Sequence, residues 1–132
     1  MNELNLSMDG TTYRVRVVYD TMLNEGQLVE GINHGEMLSG RYERDLKGTK
    51  FPYTMRVEPD PRYPQDFDDF FTVLTSPVDS HTVTLPYNNE TITYQAMIDT
   101  VSRTYAGKVG GRRRWKNMTV AYMPQSLQRV PT

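Results

Sequence analysis

Apolar and polar residues alternate at the start of the chain, on both sides of an Asp9-Gly10 pair. The apolar positions are Leu4, Leu6 and Met8 before the pair and Tyr13, Val15, Val17 and Tyr19 after it. A period of two places every second side chain on one face of a β-strand. Because Asp-Gly between two such runs favours a tight turn, this pattern predicts an N-terminal β-hairpin.

Strand-like patterns return in several later segments of the chain. The positions that share a face within their own strand are, in chain order, Leu38, Tyr42, Leu46, Phe51, Tyr53, Met55, Val57, His81, Val83, Leu85, Tyr87, Ile92, Tyr94, Ala96, Ile98, Met118, Val120 and Tyr122. The segment from Lys47 to Lys50 is predicted to be a turn between the strand that ends at Leu46 and the strand that begins at Phe51. A slip in phase at Asp99-Thr100 predicts a bulge, and residues 106–114 are predicted to form a glycine-rich basic loop.

One segment has the spacing of an α-helix. Its apolar residues, which recur at intervals of three and four, are Phe67, Phe70, Phe71 and Leu74. This spacing forms one apolar stripe along a helix. Pro64 suits the first helical position, and Ser76-Pro77 ends the pattern, so we predict a helix at about residues 64–75.

Together these patterns predict about seven strands, mostly in hairpins, and one main helix. The expected fold is mainly β: an antiparallel β-sandwich or partly open barrel with the helix at about residues 64–75 flanking it. The chain of 132 residues fits a single β-rich domain, 1–132, with a C-terminal tail at 124–132. The residues expected to be buried together with the apolar stripe of the helix are Tyr13, Val15, Val17, Met55, Val57, Val83 and Val120.

Residues 20–36 interrupt the alternation and predict a long loop, with a short strand possible near residues 27–32. The segment contains three glycines and five apolar residues: Met22, Leu23, Leu28, Val29 and Ile32. Loops in compact domains have a median length of about 4–6 residues, so a longer one is functional or disordered. Because a large exposed apolar patch is rare on a monomer, these five residues are candidates for a contact with another chain.

Composition narrows the classes of function. Fifteen Lys and Arg residues against sixteen Asp and Glu residues give a net charge of -1, which excludes a globally basic nucleic-acid binder. The absence of cysteine excludes a disulfide framework and a thiolate metal site. There is no signal-peptide pattern and no apolar run near the ~18 residues of a membrane span. We therefore expect a protein made in a cytoplasm, without a membrane partner.

The segment Arg112-Arg113-Arg114-Trp115 follows Gly110-Gly111 and is the most distinctive local feature. A basic loop that ends in an aromatic residue could contact phosphates and stack on a base. It could equally meet an acidic patch on a protein, because Arg and Trp are enriched among interface hot spots. The third interpretation is a solvated hairpin loop whose Trp115 packs at a sheet edge. In a head-to-tail protein contact, the apolar segment at 20–36 and this loop are candidates for the two different surfaces that meet. Asp66, Asp68 and Asp69 are a possible acidic counterpart of the loop.

The sequence offers few residues for catalysis. His34 and His81 have no partner at metal-ligand spacing, and His81 is expected at the edge of the core. Asp66, Asp68 and Asp69 suit the positive end of the helix better than a metal site. No P-loop, dinucleotide fingerprint, nucleophile elbow or HExxH pattern is present. We therefore expect no catalytic residues, no metal, no cofactor and no small-molecule substrate.

Several short segments resemble small tail-cluster proteins of tailed phages and prophages. They are Leu38-Ser39-Gly40-Arg41, Arg44 to Thr49, Tyr53-Thr54, Leu74 to Val83, Leu85-Pro86-Tyr87 and the closing Pro124 to Pro131 segment. The resemblance implies a virion protein of the tail, made in the bacterial host cytoplasm. Tail tube, distal-tail and tail-completion proteins share a β-sandwich or barrel with one flanking helix, and many assemble as rings. Such a protein would bind copies of itself or other tail proteins.

Three functions follow as expectations. The first is a non-enzymatic structural or assembly component of a phage tail, with Met22, Leu23, Leu28, Val29, Ile32, Arg112, Arg113, Arg114 and Trp115 as candidate interface residues. The second is a small nucleic-acid-binding barrel that uses the basic loop at 107–115. The third, which the poor catalytic inventory disfavours, is a small hydrolase.

Overall fold

The computed structural model describes residues 6–31, 35–36 and 42–130. Within them lie one α-helix, α1 (Pro64–Leu74), and thirteen strands. In chain order the strands are β1 (Leu6–Met8), β2 (Thr11–Tyr13), β3 (Val15–Val17), β4 (Leu23–Asn24), β5 (Gln27–Glu30), β6 (Gly35–Glu36), β7 (Tyr42–Glu43), β8 (Leu46–Lys50), β9 (Tyr53–Pro59), β10 (His81–Tyr87), β11 (Glu90–Met97), β12 (Val101–Val109) and β13 (Arg112–Pro124). Leu4, Ile32 and Leu38 of the sequence patterns lie outside the described residues.

Most strands belong to two antiparallel layers that join along β13. One layer has the order β2-β1-β10-β11, and the other contains β12, β13, β9, β3 and β4. The end of β13 pairs with β11, with Ala96 opposite Pro124 and Met97 opposite Met123, and this pairing connects the layers. The predicted mainly β fold, a partly open barrel with one flanking helix, is confirmed.

The barrel closes through the chain itself at Arg14. This residue lies between β2 and β3, which occupy the two ends of the strand order. The backbone N–H of Arg14 donates to Oδ2 of Asp66 at 2.9 Å, and its Nε donates to the same oxygen at 2.8 Å. The alternation predicted one continuous strand here. The strand is divided because α1 binds the backbone of Arg14 at the point where the chain passes from one layer to the other.

The interior matches the predicted core closely. The residues predicted to be buried that are at most 7% exposed are Val15, Val17, Met55, Val57, Phe67, Phe70, Leu74, Val83 and Val120. Tyr13 and Phe71 are only half-buried and pack against the edge of this core, so their predicted burial was wrong in degree. The ring of Phe71 is covered by Arg103 at the surface, and the ring of Tyr13 meets Phe70 at the edge of the core with the centroids 5.2 Å apart.

In its described residues, the segment predicted as a long loop contains three strands, the last of which, β6, pairs with β7. β4 pairs with the start of β9, with Leu23 opposite Thr54, and β5 pairs with β8 in a separate two-stranded sheet. The strand suggested near residues 27–32 is therefore confirmed as β5, whereas the continuous loop is wrong for these residues. The backbone of the segment pairs with β9, β8 and β7, which all follow it in the chain.

The C-terminal residues pack against β8. Up to Val130, the chain therefore does not form a free tail. The predicted turn at Lys47 to Lys50 lies within β8, and Thr49 forms an antiparallel bridge with Arg129. The side chain of Gln128 accepts a hydrogen bond from the backbone N–H of Phe51 at 3.1 Å. Gly48, with φ of +151°, allows the close approach, because a Cβ there would collide with the carbonyl of Arg129.

Two predictions about the last third of the chain were wrong. Residues 98–100 separate β11 from β12, and the expected bulge at Asp99-Thr100 is a change of strand. The expected basic loop at 106–114 is the end of a long β-hairpin, in which Val109 pairs with Arg112. Gly110 and Gly111 have φ of +60° and +80°, the combination of positive angles that a two-residue hairpin turn requires.

Candidate functional site

The β12–β13 hairpin extends past the neighbouring strand β9. The ladder between β13 and β9 begins with Met118 opposite Val57. In the part of the chain that the structure describes, residues 112–117 pair with β12 alone. The hairpin end therefore lies over the N-terminal half of α1 and carries all four residues of the predicted basic segment.

Two irregularities in the hairpin decide which side chains face the helix. The register passes from Thr104 opposite Asn117 to Tyr105 opposite Trp115, so Lys116 is an extra residue. The register shifts again before Gly107, which pairs with Arg114. An extra residue re-aims the side chains beyond it. Trp115 is thereby brought to the same side as Arg103, toward α1.

Arg103 connects the hairpin to the helix. Its guanidinium carbon lies 3.8 Å from the centroid of the Phe71 ring and 3.8 Å from the centroid of the Trp115 ring. Its Nη1 is 3.5 Å from Oδ1 of Asp68. Tyr105 meets the edge of Trp115 with the centroids 5.2 Å apart. One face of Trp115 is thus covered by Arg103 of the same chain.

Asp68 is the second connection between α1 and the hairpin. Its Oδ2 accepts a hydrogen bond from Nη2 of Arg112 at 3.0 Å, while its Oδ1 faces Arg103. Asp66 is occupied in the same way by Arg14. The sequence analysis considered these aspartates as an acidic counterpart on another chain. Asp66 and Asp68 are both paired with arginines of their own chain, so less of their charge is free for that role.

A surface pocket of about 110 Å³ lies between the hairpin, the start of α1 and the proline segment before it. Its lining residues are Pro59, Pro61, Pro64, Phe67, Asp68, Arg112, Arg113, Arg114 and Trp115. The Nε of Arg112 is buried and has no hydrogen-bond partner among the described residues. The pocket therefore combines an apolar wall with an unsatisfied hydrogen-bond donor. It could not be predicted from the sequence, because the prolines and the hairpin are more than forty residues apart.

Two arginines at this pocket remain available to a partner. Arg113 and Arg114 are exposed, and within residues 6–31, 35–36 and 42–130 neither guanidinium has an ion-pair partner. Lys108 lies opposite Arg113 in the hairpin and adds a third exposed cation. The unneutralised positive charge of the hairpin therefore lies on these three side chains and on Lys116, which is also exposed and unpaired among the described residues, and not on Arg112.

The apolar candidates of the 20–36 segment lie elsewhere on the molecule. Leu23 and Leu28 are 55% and 56% exposed, whereas Met22 and Val29 are half-buried. Ile32 is outside the described residues. Leu23 pairs with Thr54, and Pro59, five residues further along β9, lines the hairpin pocket. At ~3.4 Å per residue, the two surfaces are about 17 Å apart along one strand.

A second groove, of about 250 Å³, lies at the Leu23 end of β9. Its lining residues are Glu25, Gly26, Gln27, Pro52, Tyr53, Thr54, Ala121, Tyr122 and Met123. Asp20 and Glu25 are exposed on either side of β4, and neither carboxylate has a partner in the described part of the chain. Asp20 and Glu25 therefore supply free negative charge at this end, where Arg56 of β9, bonded through its backbone to Thr21, is an exposed cation without an ion-pair partner in the described residues.

Sequence analysis missed the contact of the buried His81 with the more exposed Asp9. Nδ1 of His81 lies 2.6 Å from Oδ2 of Asp9, and the histidine is 3% exposed. Burial opposes ionisation of Asp9, but the hydrogen bonds from His81 and from the Thr82 N–H outweigh it, so the pKa of Asp9 lies below its ordinary value. The pattern treated Asp9 only as a turn residue, and the pairing of β1 with β10 brings the two together. Neither residue lines the pocket beside the hairpin.

No group of three or more His, Cys, Asp or Glu side chains among the described residues is arranged to hold a metal ion. No helix in them combines the length and hydropathy of a membrane span.

Comparison with known proteins gives no assignment. No protein-family model matches this chain, and no curated protein matches it significantly.

Proposed function

We propose that this chain is a non-enzymatic structural or assembly component of a phage tail, which acts in the virion through contacts with other tail proteins or with copies of itself. The barrel with one flanking helix agrees with the fold that the resemblance to tail-cluster proteins implies. Fold alone does not define function. The proposal therefore depends on the surfaces of the molecule.

The observation that carries the proposal is the pair of unlike surfaces at the two ends of β9. One is the hairpin pocket with Arg113 and Arg114, and the other is the exposed segment around Leu23 with its unpartnered carboxylates. Unlike surfaces on one chain allow head-to-tail contacts, which close into rings or continue as filaments. A tail component requires contacts of this kind on two sides.

The proposal is tested in purified virions of a phage that encodes this chain. Mass spectrometry of the separated tails should find the chain at a constant ratio to the other tail proteins. Chemical cross-linking in intact tails should join residues 108–116 and residues 20–30 to neighbouring chains. Absence of the chain from purified tails would refute the proposal.

The nucleic-acid alternative depends on the same hairpin. Lys108, Arg113 and Arg114 are exposed cations that could contact phosphates. The aromatic partner that base stacking requires is less suitable, because Arg103 covers one face of Trp115. Asp68 also neutralises Arg112. A gel-shift titration with a single-stranded oligonucleotide tests the alternative, which requires binding that weakens steeply with salt.

A further inference from the structure

We propose that the pocket beside the hairpin binds the Asp20–Glu25 segment of a second copy of this chain, with Leu23 inserted into the pocket. In this contact Arg113 and Arg114 face the carboxylates of Asp20 and Glu25. The inference rests on the proposed function, in which the chain makes contacts with copies of itself, and it names the two surfaces that meet.

The first argument is the fit of the apolar side chain. The pocket of about 110 Å³ has an apolar wall of three prolines, Phe67 and Trp115. A cavity of about 150 Å³ accommodates benzene, so this pocket suits one aliphatic side chain better than an aromatic one. Leu23 is 55% exposed on a short strand, and its neighbouring exposed aromatic residue, Tyr19, is larger than the pocket admits.

The second argument is charge. Arg113 and Arg114 have no ion-pair partner in the described part of their own chain, and the same is true of Asp20 and Glu25. The other aspartates near the hairpin, Asp66 and Asp68, are already bound by arginines of the same chain. The contact would therefore join the free cations of one copy to free carboxylates of the next, and complementary charges of this kind give specificity.

The third argument is placement. The Leu23 segment and the pocket are about 17 Å apart along β9, and one copy cannot fill its own pocket with a segment that is paired to Thr54. In a contact between two different patches, the growing assembly always keeps one free patch of each kind at its ends. Edge-to-edge sheet pairing is a weaker possibility, because β12 carries Lys108 and two register shifts, which discourage strand addition.

Disulfide trapping tests the contact directly, because the chain contains no cysteine. The double variant Leu23→Cys/Pro61→Cys, in the otherwise intact chain, should form a ladder of disulfide-linked oligomers under mild oxidation. The matched control is Leu23→Cys/Val78→Cys, since Val78 is 56% exposed and does not line the pocket. Equal cross-linking of the two variants, or none in either, would refute the inference.

Charge exchange tests the same contact by a second route. Arg113→Glu/Arg114→Glu should reduce the trapped oligomers at least tenfold, and so should Asp20→Asn/Glu25→Lys, in which Asn tolerates the φ of +61° at residue 20. A mixture of the two charge variants should recover trapping, because one variant's acidic hairpin meets the other variant's altered segment. Glu90→Lys/Asp99→Asn carries the same charge change as Asp20→Asn/Glu25→Lys, but at exposed sites elsewhere. It should leave trapping intact.

The outcomes separate this inference from the proposed function. If tails contain the chain but neither trapping nor charge exchange supports the Leu23 contact, the inference fails and the tail proposal stands. If trapping succeeds but purified tails lack the chain, the self-contact stands and the tail proposal fails. Loss of oligomers in the Glu90→Lys/Asp99→Asn control as well would show a nonspecific charge effect and refute the inference.

Discussion

The guanidinium carbon of Arg103 lies 3.8 Å above the ring centroid of Trp115. Phe71 of α1 covers the other side of the same guanidinium at the same distance. A cation between two aromatic rings interacts favourably with the electron density of both ring faces. This stack fixes the hairpin against the helix and so determines the shape of the pocket between them.

The stack should have a measurable energy. In a double-mutant cycle between Arg103→Met and Trp115→Leu, we expect a coupling of about 0.5–2 kcal/mol, the range of cation–π pairs. The free energies of unfolding are measured for the wild type, the two single variants and the double variant by urea titration. Additive single effects would show that the stack contributes no energy beyond packing.

Asp68 should stabilise the hairpin more than its neighbour Asp69 does. Asp68→Asn removes the charge that faces both Arg112 and Arg103, and we expect a loss of about 1 kcal/mol because the pairs are partly exposed. The amide protons of residues 112–117 should exchange faster with solvent. Asp69→Asn is the control, because Asp69 is exposed and bonds only to Gln65 among the described residues. Equal effects of the two substitutions would contradict the prediction.

Two adjacent phenylalanines of α1 should respond differently to truncation. Phe70 is 0% exposed, and Phe70→Ala should reduce the free energy of unfolding by about 3–5 kcal/mol. Phe71 is half-buried under Arg103, so Phe71→Ala should cost less. Urea unfolding at neutral pH measures both values. A larger loss for Phe71→Ala would show that the stack with Arg103 matters more than the core contact of Phe70.

Acid should weaken the contact between α1 and Arg14. The hydrogen bonds from the Arg14 guanidinium, together with its backbone N–H, hold the pKa of Asp66 below the ordinary value. A carboxylate with a lowered folded-state pKa binds protons more tightly when unfolded. Its contribution to stability is therefore complete above the unfolded pKa of about 3.9 and is lost as the pH falls through the lower folded pKa.

The test of this pH dependence compares urea midpoints between neutral pH and acid. Asp66→Asn should be less stable than the wild type at neutral pH and should lose less stability on acidification. Glu90→Gln is a matched control, because Glu90 is exposed and has no side-chain partner in the described residues. An unchanged acid dependence in Asp66→Asn would contradict the assignment.

Gly48 should be required for the docking of the C-terminal segment. In Gly48→Ala, the new Cβ would meet the carbonyl oxygen of Arg129 and a residue with φ of +151° would be strained. We expect a loss of about 1–3 kcal/mol and faster cleavage by trypsin after Arg129. Gly26→Ala is the control, since its Cβ would make only an ordinary contact with Phe51 at 3.9 Å. Equal cleavage rates in the two variants would refute this role of Gly48.

The sequence alone determined the parts of this fold that depend on local periodicity. The spacing of Phe67, Phe70 and Leu74 identified the buried side of α1, and all three are buried. Alternation identified the inward residues of β9 and β10, and Asp9-Gly10 identified the first hairpin. These inferences hold because a side chain's direction follows from its position in a helix or strand. That the chain is a tail protein, and which partners it binds, are proposals.

Only the tertiary structure decided what the distinctive residues contact. Arg112 meets an aspartate 44 positions away, His81 meets Asp9 across 72 positions, and Thr49 pairs with Arg129. The register shifts in the hairpin, which the sequence analysis did not predict, turn Trp115 toward α1. Composition and spacing cannot specify such pairs, because they depend on how separate strands align in three dimensions. The same alignment leaves Arg113 and Arg114 without partners in the described chain while it neutralises Arg112.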